Sequence, residues 1–427
     1  MTVAVFLASL LGAMALGMPI AFALIVCGVA LMLSLGSFEA TVLSQKMIEG
    51  ADSFPLLAIP FFLLAGEFMN AGGISRRIVD FALAWVGHVR GGLGLVAIFA
   101  AIIMASISGS AAADTAALAA LLIPMMRAAG YDVPRAGGLI AAGGIIAPVI
   151  PPSIGFVVFG VAANVSIGKL FMAGIFPGLL MGVSLVLTWM VVARKERVAT
   201  LPKASMAERM RITVNGFWAL VMPVGIIGGL KFGVFTPTEA AVFACAYAFL
   251  VGMFVYRELK WGALYGLLLA AAKTTAVVMF LVAAALVSAW LITGANVPAQ
   301  LAGVLAPFMD SPKLLMLVMM VLVVVVGTAL DFTPTVLILT PVLMPIVKQA
   351  GIDPVYFGVL FIMNNAIGLI TPPVGIVLNV VCGVAKISMD DLMRGVVPFL
   401  LAELVVLGLL ILFPQLVMVP LGWLTSP

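Results

Sequence analysis

Residues 92–126 read GLGLVAIFAAIIMASISGSAAADTAALAALLIPMM, an apolar run that small and polar residues interrupt at its centre. Each arm is about 15 residues long, whereas about 20 apolar residues are needed to cross a bilayer. Such arms suit a helical hairpin that enters the membrane halfway and returns. Residues 314–345, LLMLVMMVLVVVVGTALDFTPTVLILTPVLMP, repeat the pattern. The sequence therefore predicts two re-entrant hairpins, at 92–126 and 313–348.

A second pair of apolar segments is interrupted by prolines. Residues 135–163 contain Pro151-Pro152, and residues 354–385 contain Pro372-Pro373. A proline pair removes two backbone donors and frees nearby carbonyl groups. In lipid, such a break is tolerated only where it is buried in protein or lines a cavity. Each segment is therefore predicted to be a transmembrane helix that is interrupted midway.

The composition places these segments in a membrane. Hydrophobic residues make up 64% of the 427 residues and charged residues only 9%, against about 25% charged in soluble domains. Lipid cannot hydrogen-bond the backbone, so spans must be helices or closed barrels. Barrels need alternating segments of about ten residues, whereas 136–168 and 274–309 are long runs without a charge. The predicted class is an all-α polytopic membrane protein.

Composition also excludes several functions. His88 is the only histidine, which excludes a zinc cluster and a His-based catalytic triad. The three cysteines, Cys27, Cys245 and Cys382, lie far apart in apolar stretches and are expected to be small buried hydrophobes. The sequence contains no Walker motif, so ATP is not expected to drive this chain. The net charge of +4 is attributed to basic loops that set topology. Neither a nucleic-acid partner nor an organic cofactor is expected.

The two halves of the chain match at an offset of 221 positions. The coinciding residues are Pro124 and Pro345, Arg127 and Lys348, Gly130 and Gly351, Asp132 and Asp353, and the two proline pairs. The basic segment 194–213 separates the halves and is predicted to be cytoplasmic. If each half crosses the membrane an odd number of times, 214–427 is inverted relative to 1–193. Inverted repeats are typical of secondary transporters, with the site at the repeat interface.

The four interruptions are predicted to meet at the membrane midplane. They comprise the first tip (Ser106, Ser108, Gly109, Ser110), the second tip (Gly327, Asp331, Thr333, Thr335), and the breaks at Ala147–Ser153 and Gly368–Gly375. Hydroxyl and carbonyl oxygens suit a small dehydrated cation, and half-helix N-termini favour an anion. One pocket could thus hold Na⁺ together with a carboxylate substrate.

Several of these residues admit a second interpretation. Asp331 lies in an otherwise uncharged stretch, and such a carboxylate binds an ion or substrate or caps a helix. Asp114 could likewise cap the second arm or act near the ion. Serines and Thr371 could instead bond the preceding helical turn. Asn364-Asn365 could form a site wall or join helices.

Two further local predictions concern helix ends. Glu239, in TPTEAA at 236–241, is predicted to be a capping carboxylate at the start of a span. Residues 3–34 could form one long tilted helix or two pieces.

Five segments together resemble a known family. They are ADSFPLLAIPFFLLAGEFMNAGGISRRIVDFA (51–82), SISGSAAADTAAL (106–118), GGIIAPVIPPS (143–153), LDFTPTVLILTPVLMP (330–345) and GLITPPVG (368–375). They are similar to the large membrane subunit of tripartite ATP-independent periplasmic (TRAP) transporters, and the resemblance covers essentially the whole chain. It implies a multi-pass protein of the bacterial inner membrane, with a scaffold and an elevator-type transport domain.

The resemblance also implies a function and its residues. It implies Na⁺-coupled uptake of a small organic acid, such as a C4-dicarboxylate, a sugar acid or sialic acid. It implies two partners, a separate small four-helix membrane subunit and a periplasmic substrate-binding protein. The implied substrate residues are Ser110, Ser153, Asp331, Thr333 and Asn365. The implied Na⁺ residues are Ser106, Ser108, Gly109, Pro148, Gly327, Asp331, Gly368 and Thr371.

Two other functions are alternatives to this one. A stand-alone carboxylate symporter of the same superfamily would share the fold and would need no binding protein. An intramembrane enzyme or channel is the third possibility, but only Asp114 and Asp331 could supply acid–base chemistry.

Overall fold

The computed structural model describes residues 2–36, 38–194, 200–328, 330–372 and 375–425. Pro373 of the second proline pair and residues 195–199 of the predicted linker lie outside the described residues. Every regular element within the described ranges is a helix, which confirms the predicted all-α class.

The first half begins with five helices and one short 3₁₀ turn. They are α1 (Thr2–Ala15), α2 (Ile20–Ser34), α3 (Ala40–Ala51), the turn Phe54–Leu57, α4 (Ala58–Ala71) and α5 (Ile74–Val86). Helices α1 and α2 pack on each other, and Cys27 Sγ lies 3.6 Å from the Phe6 carbonyl oxygen. Residues 3–34 are therefore two helices rather than one.

Five further helices complete the first half. They are α6 (Gly92–Ser108), α7 (Ala111–Ala128), α8 (Val133–Gly144), α9 (Ile154–Ala163) and α10 (Ile167–Ala193). The predicted first hairpin corresponds to α6 and α7, and the interrupted helix to α8 and α9. Helix α7 has 18 residues, more than the predicted 15, because it continues through Pro124 to Ala128.

The second half opens with a similar group. It contains α11 (Met206–Asn215), α12 (Phe217–Lys231), α13 (Pro237–Leu250), a π-helical turn at Val251–Val255, α14 (Trp261–Gly294), α15 (Val297–Leu305) and a 3₁₀ turn at Ala306–Phe308. A capping box of Thr236 and Glu239 begins α13, as predicted for Glu239. The 34-residue helix α14 packs against α2, α3 and α4.

The last six helices include the second hairpin and the second interrupted helix. They are α16 (Pro312–Gly327), α17 (Phe332–Gln349), α18 (Pro354–Gly368), α19 (Ile376–Ala385), α20 (Met389–Leu412) and α21 (Gln415–Thr425). Helix α7 spans 111–128 and α17 spans 332–349, so both of their ends are 221 positions apart. Gly130 and Gly351, which follow these helices, both have positive φ, 83° and 68°. These correspondences agree with the predicted repeat; its inversion remains a prediction.

The two halves interlock in the core. Helix α7 packs against α19, and α17 packs against α9. Phe159 of α9 packs against two rings of α18, with centroids 6.2 Å from Phe357 and 5.7 Å from Phe361. Gly358 permits this approach, because a Cβ there would lie 2.4 Å from the Phe159 ring. Each hairpin is thus packed against the interrupted helix of the other half.

The remaining surface is suited to lipid. Among the described residues, seven helices are long and apolar enough to cross a membrane, and up to eight if α11 and α12, bent by 58°, count as one span. Large apolar side chains are exposed along several of them, for example Leu187, Val191 and Val277. The chain is therefore a multi-pass membrane protein.

Candidate functional site

The first hairpin tip is a tight polar turn. Gly109, with φ of 62°, occupies a left-handed conformation that favours glycine, and it ends α6. Ser110 then caps α7 by accepting a hydrogen bond from Ala113 N at 3.4 Å. Ser110 N in turn donates to Ser108 Oγ at 3.1 Å. The sequence thus folds these residues into a turn whose hydroxyls point inward.

This tip lies directly on the first proline break. A Cβ on Gly109 would lie 2.6 Å from Pro152 O. At the break, Ser153 Oγ donates to Pro148 O at 2.5 Å and accepts from Phe156 N at 3.2 Å, which caps α9. Ser153 is fully buried. Four sequence-predicted residues, Ser108, Gly109, Pro148 and Ser153, therefore share one site.

Asp114 supplies the only carboxylate of this first cluster. It is 1% exposed, and its Oδ1 accepts a hydrogen bond from Ser108 Oγ at 2.5 Å. Its Oδ2 has no partner among the described residues, and neither has the hydroxyl of Thr115, which lies against Gly144 at the end of α8. Ser110, and not Asp114, is the N-cap of α7. The structure therefore places Asp114 beside the hydroxyl cluster rather than at the cap.

The second tip lies against the second break in a similar way. A Cβ on Gly368 would lie 3.3 Å from the carbonyl oxygen of Gly327. Asn365, 1% exposed, donates from Nδ2 to Phe332 O at 2.8 Å, while its Oδ1 has no partner among the described residues. That Oδ1 would lie 3.2 Å from a Cβ on Gly327. Gly327, Gly368 and Asn365 thus form a second cluster.

Asp331 and its neighbours border this cluster. Asp331 is exposed, and its Oδ1 accepts from Phe332 N at 2.6 Å as the N-cap of α17. The capping contact, one of its two interpretations, is therefore present. Thr333 is half-buried. The Phe332 ring lies against Gly155, which links the start of α17 to the start of α9 and so connects the two clusters.

Two predicted ligands bond their own helices. Ser106 Oγ donates to Ile102 O at 3.2 Å, and Thr371 Oγ1 donates to Ile367 O at 2.8 Å. Both are the backbone contacts expected of hydroxyls in membrane helices. Asn364 Nδ2 donates to Met320 O at 2.6 Å, so this asparagine joins α18 to α16.

Thr115 was not among the predicted site residues, and for Asp114 the sequence left both interpretations open. Their signal is weak, because a polar pair in the first turn of a helix is equally typical of a cap. Only the packing of α7 on α8 shows that both side chains are buried with oxygens unpaired.

Comparison with known proteins identifies the family. Residues 7–416 match the family described as the DctM component of the tripartite ATP-independent periplasmic transporter. The chain is 57% identical over 424 residues to the 2,3-diketo-L-gulonate TRAP transporter large permease protein YiaN of Escherichia coli, covering 99% of this chain and 100% of that protein.

More distant relatives carry other names. The sialic acid TRAP transporter large permease protein SiaM of Vibrio cholerae is 42% identical, with 95% of each chain covered. The C4-dicarboxylate TRAP transporter large permease protein DctM of Pseudomonas aeruginosa is 37% identical, with 90% of each covered.

A solved structure shares the fold. The Alcanivorax borkumensis YdaH transporter superposes with a TM-score of 0.64, covering 91% of this chain and 89% of that one at 16% identity. The family match and the close relatives together show that the chain belongs to the DctM family of TRAP transporter large membrane components.

Proposed function

We propose that this chain is the membrane carrier for Na⁺-coupled uptake of a small organic acid. Asp114 carries this proposal. Ser108 Oγ donates its single proton to Asp114 Oδ1, because in its other contact it accepts a hydrogen bond from Ser110 N. Asp114 is thus bound as an acceptor, as an ionised carboxylate requires. Its Oδ2 is buried, and none of the described residues bonds it.

A buried carboxylate needs a compensating cation. Leaving such a charge unpaired away from water costs several kcal/mol. Among the described residues, the ion pairs involve other carboxylates, those of Glu49, Glu258 and Asp132. Hard cations bind carboxylate, hydroxyl and carbonyl oxygens, and the hydroxyl of Thr115 and the freed carbonyls at Pro148–Pro152 are of this kind. Na⁺ beside Asp114 would satisfy the charge.

The anionic part of the substrate is assigned to the helix N-termini. Helices α7 and α9 have neutral hydroxyl N-caps, Ser110 and Ser153, and both N-termini lie at the first cluster, whereas α17 is capped by the carboxylate of Asp331. Helix N-termini carry partial positive charge and free N–H groups. The relatives are named for 2,3-diketogulonate, sialic acid and C4-dicarboxylates, all of which are acids. A sugar acid is the first candidate because of the 57% identical relative.

The proposal includes an elevator movement, in which the interlocked core moves relative to α3 and the long helix α14. A cavity of about 620 Å³ is lined by α3 and α14 on one side, with Lys46, Glu49 and Trp290, and by α9 and α17 on the other, with Lys348; α14 also packs on α17 beside it. Such a cleft would allow the core helices α9 and α17 to move relative to α3 and α14. The family name implies the further partners, a small membrane subunit and a periplasmic binding protein that delivers the acid.

Thermal stability of the purified protein in Na⁺ and in K⁺ at equal ionic strength tests the ion assignment. A ligand that binds only the native state adds about 2.7 kcal/mol at 100 times its Kd. We expect a stabilisation specific for Na⁺. Uptake into proteoliposomes containing the small subunit, with binding protein and diketogulonate, sialic acid or succinate outside, tests transport. Equal stability in the two salts and uptake that ignores the Na⁺ gradient would contradict Na⁺ coupling.

A further inference from the structure

Glu403 is a second buried carboxyl group, and the candidate site does not use it. It lies in the middle of α20 with 0% exposure and faces α10, where Ser184 Oγ is 3.3 Å from its Oε1. Its Oε2 has no partner among the described residues. Ionisable side chains inside a membrane are rare and are usually functional.

The position of the Ser184 proton determines which atom donates between these two residues. Ser184 Oγ lies 2.7 Å from the Met181 carbonyl oxygen, the normal length of an O–H···O hydrogen bond. A carbonyl oxygen only accepts, so the single hydroxyl proton of Ser184 lies on that contact. Ser184 therefore presents a lone pair to Glu403. The proton for a Glu403–Ser184 hydrogen bond can come only from Glu403.

The described part of the chain holds no cation beside Glu403 that would stabilise its ionised form. The helices packed against α20 include α8, α10, α16, α18, α19 and α21. Their charged residues within the described ranges, Arg135, Lys169 and Lys313, lie in the first turns of α8, α10 and α16. On α20 itself the nearest charge is Arg394, nine residues and about 13 Å away. Tyr356 of α18 donates its hydroxyl proton to Leu410 O, not to Glu403.

We infer that Glu403 is a proton-binding site in the core of the protein, held as a neutral carboxylic acid that donates to Ser184 Oγ. This hydrogen bond joins α20 to α10, the long helices that follow the two interrupted helices. The contrast with Asp114 is chemical: the serine beside Asp114 donates to the carboxylate, whereas the serine beside Glu403 accepts from the acid. On the function proposed above, one buried carboxyl binds a metal cation, and the other binds a proton.

Infrared spectroscopy of the purified protein in Na⁺ buffer tests this assignment directly. A protonated carboxyl group has a carbonyl stretching band that a carboxylate lacks. We expect one such band at neutral pH, persisting into alkaline buffer, absent from Glu403→Gln and shifted in Ser184→Ala. Asp390→Asn, which removes an exposed carboxylate from the same helix, should leave the band unchanged. A band that survives Glu403→Gln, or one that titrates with the exposed carboxyls, would overturn the inference.

Stability gives a second, independent test. Glutamine keeps the shape and the hydrogen-bond donor of a neutral acid, so Glu403→Gln should melt close to the wild-type temperature. Glu403→Ala, which removes the donor and leaves a cavity, should melt clearly lower. If both variants are destabilised equally, the neutral-donor assignment is wrong. If Glu403→Gln does not fold, the Ser184→Ala spectrum still decides, because an unshifted band would exclude the pairing.

Discussion

Arg127 Nη2 donates a hydrogen bond of 2.6 Å to the carbonyl oxygen of Ala385, 258 positions away. Arg127 lies in the last turn of α7, and Ala385 is the last residue of α19. The contact satisfies a carbonyl that has no partner within its helix, and the guanidinium opposes the negative end of the helix dipole. It fixes the first hairpin to the second interrupted helix.

Removing this cap should destabilise the core. We expect Arg127→Ala to lower the free energy of unfolding by about 1.5–3 kcal/mol, the range for a hydrogen bond to a charged group. Denaturation of the detergent-solubilised protein would measure it. Lys348 is the matched control, because it holds the corresponding position on α17 and the structure shows no equivalent hydrogen bond for it in the described ranges. Equal losses for Arg127→Ala and Lys348→Ala would mean that the Ala385 contact contributes little.

Asp114→Asn should abolish the stabilisation by Na⁺. Asparagine keeps the size and can still accept from Ser108, but it removes the negative charge that requires a cation. The measurement is the difference in melting temperature between Na⁺ and K⁺, which we expect to fall to near zero. Asp390→Asn makes the same chemical change on the exposed first turn of α20 and should retain the full difference. A normal Na⁺ effect in Asp114→Asn would remove this residue from the ion site.

Two substitutions of Asp331 distinguish a role in helix capping from a role in binding. Asparagine caps helices about as well as aspartate, whereas alanine costs about 1 kcal/mol at an N-cap. If Asp331 binds ion or substrate, Asp331→Asn should keep its stability but lose Na⁺-driven uptake. Asp331→Ala should lose both. Full uptake by Asp331→Asn would show that the residue acts as a cap alone.

Gly109→Ala should introduce a steric clash that pushes the first tip away from the first break. A Cβ would meet Pro152 O at 2.6 Å, in addition to the cost of φ at 62°, which is about 1–2 kcal/mol for a non-glycine residue. Gly130, with φ of 83° and nothing within 4 Å of a Cβ, carries the backbone cost without the clash. We therefore expect Gly130→Ala to destabilise modestly and to keep Na⁺ binding, and Gly109→Ala to lose it. Stability and the Na⁺ effect are read in the same melting experiment.

Much of the fold can be predicted from the sequence, because a membrane-spanning segment tolerates few polar interruptions. The serine and glycine residues at 106–110 and the proline pairs lie between apolar segments. Helix α6 ends at Ser108, whereas α8 and α18 end a few residues before the prolines, at Gly144 and Gly368. Thr236 and Glu239 form the predicted cap because the capping box is a local pattern. The membrane class and the family are confirmed by the helices and by the relatives.

Long-range pairing could not be read from the sequence in the same way. The bond from Arg127 to Ala385 depends on how α7 packs on α19, and no local pattern marks it. Asp114 is adjacent to a cap in sequence, and only the turn at Gly109 brings Ser108 to its carboxylate. Glu403 is a single acid in an apolar run, and its hydrogen-bonding state depends on which atom Ser184 Oγ already contacts. The assignment of the Na⁺ and substrate residues remains a prediction.

The interlocking of α7 with α19 and of α9 with α17 has a consequence for biosynthesis. Helices α7 and α9 are complete when residue 163 has been made, but their packing partners are synthesised some 170 to 220 residues later. During that interval the faces of α7 and α9 that pack on α19 and α17 lack those partners, whereas Asp114 and Ser153 already have their first-half contacts to Ser108 and Pro148. A nascent chain that stops after α10 therefore lacks the helices that cover these two faces in the complete protein, so the core can close only after the second half has been inserted.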